Sequence, residues 1–246
     1  MNIKYFIICI IILIIFIMVF IKYNSNNFDY KKNVNEQIYN KILNWFHNFS
    51  YKHNINYSIA YGTMLGYVRN KDYIPYDKDL DLYIGKEDAY NIIKLIDNDT
   101  IIYNSDIKQI EENKIYIIIN KQHDLKIEGR NRYDCNGNKV LNQMDVCSFN
   151  GLFGRIIYNN INCDLFVYST DNNKNDYSDT CNDTNCVYIA THKGTKIPET
   201  KNIKLNNATT KIFKFDEFVN NMLFTKYGKN FLNPDHKYIN GIWVKI

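Results

Sequence analysis

The chain has 246 residues, room for one domain of ordinary size or two very small ones. Hydrophobic residues make up 46% and charged residues 23%, which excludes wholesale disorder and calls for a packed core. The formal charge of +4 arises from 30 Lys+Arg against 26 Asp+Glu with no long basic run, so the overall field gives no case for nucleic acid as a partner.

From Tyr5 to Ile21 no residue is charged or strongly polar, and Lys4 and Lys22 flank the run. That length predicts a single membrane-spanning helix over residues 1–22, with the two lysines snorkelling to the interfaces. A cleavable signal peptide fits less well, because the apolar stretch exceeds a typical h-region and no small-x-small site follows in Tyr23-Asn24-Ser25-Asn26. Lys22, Lys31 and Lys32 outnumber Lys4, which by the positive-inside rule would leave the body in the cytoplasm. Sequons at Asn48, Asn56, Asn98, Asn182 and Asn207 fit a luminal body instead, so the orientation stays open.

Residues 23–35 read as a polar stalk and residues 36–246 as one α/β (α+β) body. Val34, Ile38, Ile42, Trp45, Phe46 and Phe49 fall on one face of a helix. A strand follows around Tyr57–Tyr61, then a Gly62-Thr63 break and a short helix from Met64 to Asn70. After Pro75, Asp79-Leu80-Asp81-Leu82-Tyr83-Ile84 alternates with period two, as a half-buried strand does. A helix is expected at 86–96 and strands at 100–103, 114–120, 124–128, 155–158 and 162–168. A polar loop spans 169–185, and a closing helix from Phe215 to Tyr227 ends at Gly228, the position favoured for a left-handed cap. Outside the span, Cys135, Cys147, Cys163, Cys181 and Cys186 are odd in number and contain no C-x-x-C. They signal neither a complete disulfide framework nor a four-ligand zinc site, although Cys181 and Cys186 could bridge.

The chemistry concentrates between Gly62 and Asp81. Side chains two apart on a strand share a face at roughly 6.6 Å, so Asp77, Asp79 and Asp81 project together while Leu80, Leu82 and Ile84 turn to the core. Three carboxylates on one face call for a cation, and oxygen-only ligation suits Mg²⁺ or Mn²⁺. Gly62-Thr63 at a strand-to-helix junction presents backbone N–H groups where a phosphate can dock. An anion site beside a metal site implies a phosphate-bearing substrate. The five histidines are dispersed, with no H-E-x-x-H and no paired spacing, and no G-x-S-x-G occurs.

Gly62-Thr63-Met64-Leu65-Gly66-Tyr67-Val68-Arg69 followed by Tyr73-Ile74-Pro75-Tyr76-Asp77-Lys78-Asp79-Leu80-Asp81 resembles the signature of the LicD/fukutin family, G-T-L-L-G-x-x-R before F-I-P-W-D-D-D-I-D. Cys163-Asp164-Leu165-Phe166 is similar to the family's later V-D-I-F strand, and Tyr227-Gly228 with Pro234 to its C-terminal Y-G…P element. The resemblance implies a nucleotidyltransferase-like mixed sheet with flanking helices. It also implies metal-dependent transfer of a phosphocholine- or polyol-phosphate-like group from a CDP-activated donor to a glycan or glycoprotein acceptor. The alternatives are nucleotidylyl transfer on the same fold and a catalytically inactive membrane-anchored scaffold. Carried over, Asp79, Asp81 and Asp164 form the catalytic, metal-binding set and Asp77 is a second-tier ligand. Gly62 and Thr63 cradle a phosphate, and Arg69 meets the diphosphate or serves a structural role. Lys78 replaces the usual middle Asp and Tyr76 the usual Trp.

Overall fold

The computed structural model describes residues 3–97, 99–121, 131–170, 177–179, 199–239 and 242–246. Its elements in chain order are α1 (Ile3–Lys52), β1 (Tyr57–Ile59), α2 (Tyr61–Asn70), β2 (Asp79–Gly85), α3 (Lys86–Ile93) and β3 (Ile101–Tyr103). A 3-10 turn at Asn104–Asp106 precedes β4 (Tyr116–Ile119), β5 (Arg132–Tyr133), β6 (Lys139–Val140), β7 (Gly154–Tyr158) and β8 (Ile161–Thr170). The rest are β9 (Tyr177–Asp179), β10 (Thr200–Leu205), β11 (Ala208–Phe213), α4 (Asp216–Tyr227), β12 (His236–Ile239) and β13 (Ile242–Lys245).

The chain divides into two compact units, Met1–Gln37 and Ile38–Ile246. The first is helical from Ile3, the expected stalk included. Among the described residues no helix is long and apolar enough to cross a membrane, so the span expected at residues 1–22 gains no support from this test. Within that stretch only the side chains of Ile12 to Met18 are described, and all seven are exposed.

The second unit is built on a seven-stranded mixed sheet of order β1-β2-β8-β7-β4-β3, with β9 beside β8. β2 runs parallel to β8 and β3 to β4, while the other neighbours are antiparallel. The period of two sorts side chains between the faces. One face carries Leu80, Leu82 and Ile84 of β2, Cys163, Leu165 and Val167 of β8, and Ile156 and Ile117 of the next strands, all buried in the main core. Tyr39, Ile42, Leu43 and Phe46 of α1 complete that core at helical spacing. The opposite face differs along its width. Ile118 of β4, Ile157 of β7 and Ile102 of β3 close a smaller core with Cys147 and Phe149, whereas β2 and β8 present carboxylates.

Glycine at position 66 has a packing reason: a Cβ there would lie 2.6 Å from the Asp72 carbonyl oxygen and 2.9 Å from the Ile74 nitrogen. Only a residue without a side chain lets α2 seat this closely on the segment that feeds β2.

Several expectations require correction. β2 begins at Asp79, so Asp77 precedes the strand, and Tyr76 before it adopts a positive φ of 65°. α2 begins at Tyr61 after an extended Ala60, placing Gly62 and Thr63 inside its first turn. α3 ends at Ile93, three residues early. Gly228 has φ 81° and ψ 177°, positive but outside the left-handed helical region, and its N–H donates to the Phe224 carbonyl. The hairpins β5–β6, β10–β11 and β12–β13 were not anticipated. Cys135 and Cys147 form a disulfide, a pairing that the odd cysteine count did not suggest, while Cys163 is buried and reduced. The strand expected at 124–128, His123, His192, Cys181 and Cys186 lie outside the described residues.

Candidate active site

The parallel register of β2 and β8 sets Asp81 opposite Asp164 and Asp79 opposite Asn162. Asp79 and Asp81 share a face because they are two apart on one strand, and the register adds Asp164 to that face. One oxygen from each of Asp79, Asp81 and Asp164 lies within 4.8 Å of the others. Two distant stretches of sequence therefore meet as a carboxylate trio in which Asp164 is buried. Asp77 is not in this trio, although its carboxylate lies close by: a Cβ on Gly62 would be 2.9 Å from Asp77 Oδ2 and 3.6 Å from Asp81 Oδ2. A side chain at position 62 would displace the Asp77 carboxylate.

Burial and mutual repulsion act in the same direction on these groups. Loss of solvent raises Asp79 to about 6; Asp164 and Asp77 add to the shift, while Arg155 and Asn162 oppose it. Asp81 is raised well above the usual carboxylate range, first by burial and then by Asp79 and Asp164, against an opposing hydrogen bond from the Gly62 N–H. Asp77 is raised by burial.

The acids are held from several sides. The Gly62 N–H donates to Asp81 Oδ2 at 3.2 Å, and the Asp81 N–H donates to Thr63 Oγ1 at 2.9 Å. The Gly62 amide and the Thr63 hydroxyl, expected to cradle a phosphate, thus both brace Asp81. The Tyr39 hydroxyl of α1 donates to the Asp77 carbonyl at 2.6 Å and fixes the bend before β2. Nothing in the order of residues marked Arg155 as a site residue. It stands opposite Asp164 on β7 and forks onto it, Nε to Oδ1 at 2.6 Å and Nη2 to Oδ2 at 3.2 Å. Asn162 adds a third donor to Asp164 Oδ1 at 2.8 Å.

Beside the trio a cleft of about 690 Å³ is lined by Gly62, Arg69, Asp77, Asp81, Tyr227 and Trp243, among others. Asp79 and Asp164 do not form part of its wall. Arg69 donates through Nε to the Phe231 carbonyl at 2.6 Å, which ties α2 to the chain that follows α4. Tyr76, at the position of the expected Trp, stacks on Tyr238 of β12 with centroids 4.7 Å apart. The motif segment thereby contacts the C-terminal hairpin, whose Trp243 and Lys245 also border the cleft.

With this geometry in place, comparison with known proteins is informative. Residues 54–134 match the family described as LicD/FKTN/FKRP, nucleotidyltransferase domain. Over that segment the chain is similar to the LicD/FKTN family. A curated relative, the lipopolysaccharide cholinephosphotransferase LicD of Haemophilus influenzae, is 33% identical over 52 residues. That match takes in 21% of this chain and 20% of the relative. The LicD-family segment contains Gly62, Thr63, Arg69, Asp77, Asp79 and Asp81, whereas Asp164 and Arg155 lie beyond it and are brought to it by the fold.

Proposed function

We propose that this chain transfers a phospho-substituent, phosphocholine- or polyol-phosphate-like, from a CDP-activated donor to a glycan or glycoconjugate. The observation that carries the reading is the convergence of Asp79, Asp81 and Asp164 beside a cleft bordered by Arg69 and the start of α2. The match of residues 54–134 to the LicD family and the name of the Haemophilus influenzae relative point to the same reaction class.

The trio fits Mg²⁺ or Mn²⁺, because half-buried and buried carboxylates with oxygens within 4.8 Å of one another gain most from a divalent cation between them. Held by Asp79, Asp81 and Asp164, such an ion would neutralise charge on the donor diphosphate. Arg69 commits Nε to the Phe231 carbonyl and turns the rest of its fork to the donor phosphates. The Gly62 N–H and the Thr63 hydroxyl hold Asp81 in place for that ligation. Asp77 lines the cleft and, raised by burial, accepts the proton of the attacking acceptor hydroxyl. The hydroxyl attacks in line and CMP departs. Asp164, engaged on both oxygens by Arg155, suits ligation better than proton transfer.

The reading places the body at a membrane, carried by an anchor at residues 1–22 and a stalk at 23–35; the exposed apolar side chains of Ile12 to Met18 support it. The Cys135–Cys147 bridge favours the oxidising side of that membrane.

A donor screen tests the reaction class. The chain is incubated with CDP-choline, CDP-ribitol or CDP-glycerol and a glycan acceptor, and CMP release and the acceptor's mass are followed. One donor should give Mg²⁺-dependent CMP release with the phospho-substituent retained on the acceptor. A nucleotide retained on the acceptor would convert the assignment to nucleotidylyl transfer. No turnover and no Mg²⁺-dependent CDP binding would leave a scaffold.

A further inference from the structure

We infer that Arg155 is a positioning residue for the cation site, and that the loop closed by the Cys135–Cys147 bridge holds Arg155 in place. The inference rests on the proposal that the carboxylate trio binds a divalent cation. The side chains of Arg155 and Asp164 are only 9% and 10% exposed, so water does not compete for their two-pronged contact. That contact fixes the rotation of the Asp164 carboxylate, which a single hydrogen bond would leave free. Arg155 is itself fixed by Nη1, which donates to the Val146 carbonyl at 3.1 Å, and its guanidinium carbon lies 5.3 Å from the centre of the Phe149 ring.

Val146 sits in a segment with little freedom to shift. Asp145 accepts from the backbone N–H of Cys135 at 2.8 Å, of Cys147 at 3.0 Å and of Ser148 at 3.1 Å. The disulfide joins the two cysteines on either side of it. Bridge, Asp145 turn, Val146 carbonyl, Arg155 and Asp164 thus form one unbroken series of contacts ending at the trio. Groups that orient a ligand characteristically govern metal affinity although they never touch the metal.

Charge alone makes the opposite forecast. Arg155 is a cation beside a cation site, so its removal would tighten binding if it did not position Asp164. The two accounts differ in sign. Mn²⁺ affinity of the full chain in detergent is measured by electron paramagnetic resonance for the native chain, Asp81→Asn, Arg155→Gln, Arg155→Lys, the double variant Cys135→Ser/Cys147→Ser and that double variant combined with Arg155→Gln. Circular dichroism is recorded for each. Arg155→Gln should weaken Mn²⁺ binding about 10–100-fold, with Arg155→Lys between it and native. The cysteine double variant should weaken it about threefold or more, and should add nothing further in the Arg155→Gln background. If Arg155→Gln does not fold, the Lys variant carries the comparison. Unchanged or tighter Mn²⁺ binding in a folded Arg155 variant overturns the positioning role, as does a cysteine effect of equal size with Arg155 absent. Failure of the metal reading looks different: the native chain and Asp81→Asn would then bind Mn²⁺ alike.

Discussion

Asp79→Asn lowers transfer at least ~10²–10³-fold and at the same time makes the metal-free chain more stable at pH 7. The activity loss follows from removing one of the three carboxylates proposed to hold the cation. The stability gain follows from the electrostatics of the three carboxylates in metal-free buffer. Burial, Asp164 and Asp77 raise Asp79 from 3.8 to about 6, so at neutral pH its charge is held against an unfavourable field. A shift of that size corresponds to about 3 kcal/mol at most. Relaxation and proton uptake by neighbouring acids reduce it, and roughly 1–2 kcal/mol, or about 2–6 °C in Tm, is the expected gain. Asparagine keeps the shape and a polar contact for Asn162 while dropping the charge. Calorimetry and a transfer assay on the same preparation check both halves. A variant that loses activity and stability together would mean that Asp79 serves packing rather than cation binding.

The metal-free chain is also expected to lose stability as pH rises through the window from 3.8 to about 6, in the part of its pH dependence that belongs to Asp79. A carboxylate raised in the folded state binds protons more tightly there than in the unfolded chain. Its contribution is therefore fully present below 3.8 and is lost as pH passes about 6. Subtracting the Tm profile of Asp79→Asn from that of the native chain isolates this component, since the other titrating groups are common to both. The difference should grow more negative with pH and level off above about 6. Saturating Mg²⁺ should reverse it: at a hundred times Kd, binding contributes about 2.7 kcal/mol, and more of that is realised at pH 7 than at pH 5, where protons compete for the oxygens. A difference profile that is flat, or that rises with pH, would show that neither burial nor the neighbouring acids raise Asp79 in the folded chain.

Much of this site is visible in the order of residues because its parts are local. Asp79 and Asp81 declare their shared face through the alternation with Leu80 and Leu82, and Gly62 to Arg69 precedes them at a spacing that only a strand-helix-strand passage satisfies. Asp164 could be named only through the resemblance of its strand to a family pattern, because β2 and β8 are 83 positions apart at the Asp81–Asp164 pair and pair through the sheet. Arg155 was not visible at all. An arginine within a five-residue strand reads as a surface charge, and only antiparallel pairing with β8 puts it on a buried carboxylate. The Cys135–Cys147 bridge was hidden for a similar reason: the five cysteines outside residues 1–22 are odd in number, and nothing local indicates which two the Asp145 turn brings together. The β10–β11 hairpin was legible and was missed. Ile203, Leu205, Ala208, Thr210 and Ile212 alternate with exposed or half-buried neighbours, and Asn206 supplies the positive φ of its two-residue turn.

The account turns on a divalent cation bound by acids from two separate strands, and diffraction from crystals soaked in Mn²⁺, recorded at a wavelength where manganese scatters anomalously, addresses it directly. The prediction is an anomalous peak about 2.0–2.3 Å from oxygens of Asp79, Asp81 and Asp164. No peak among these three carboxylates, or manganese found elsewhere while they stand apart, would contradict it.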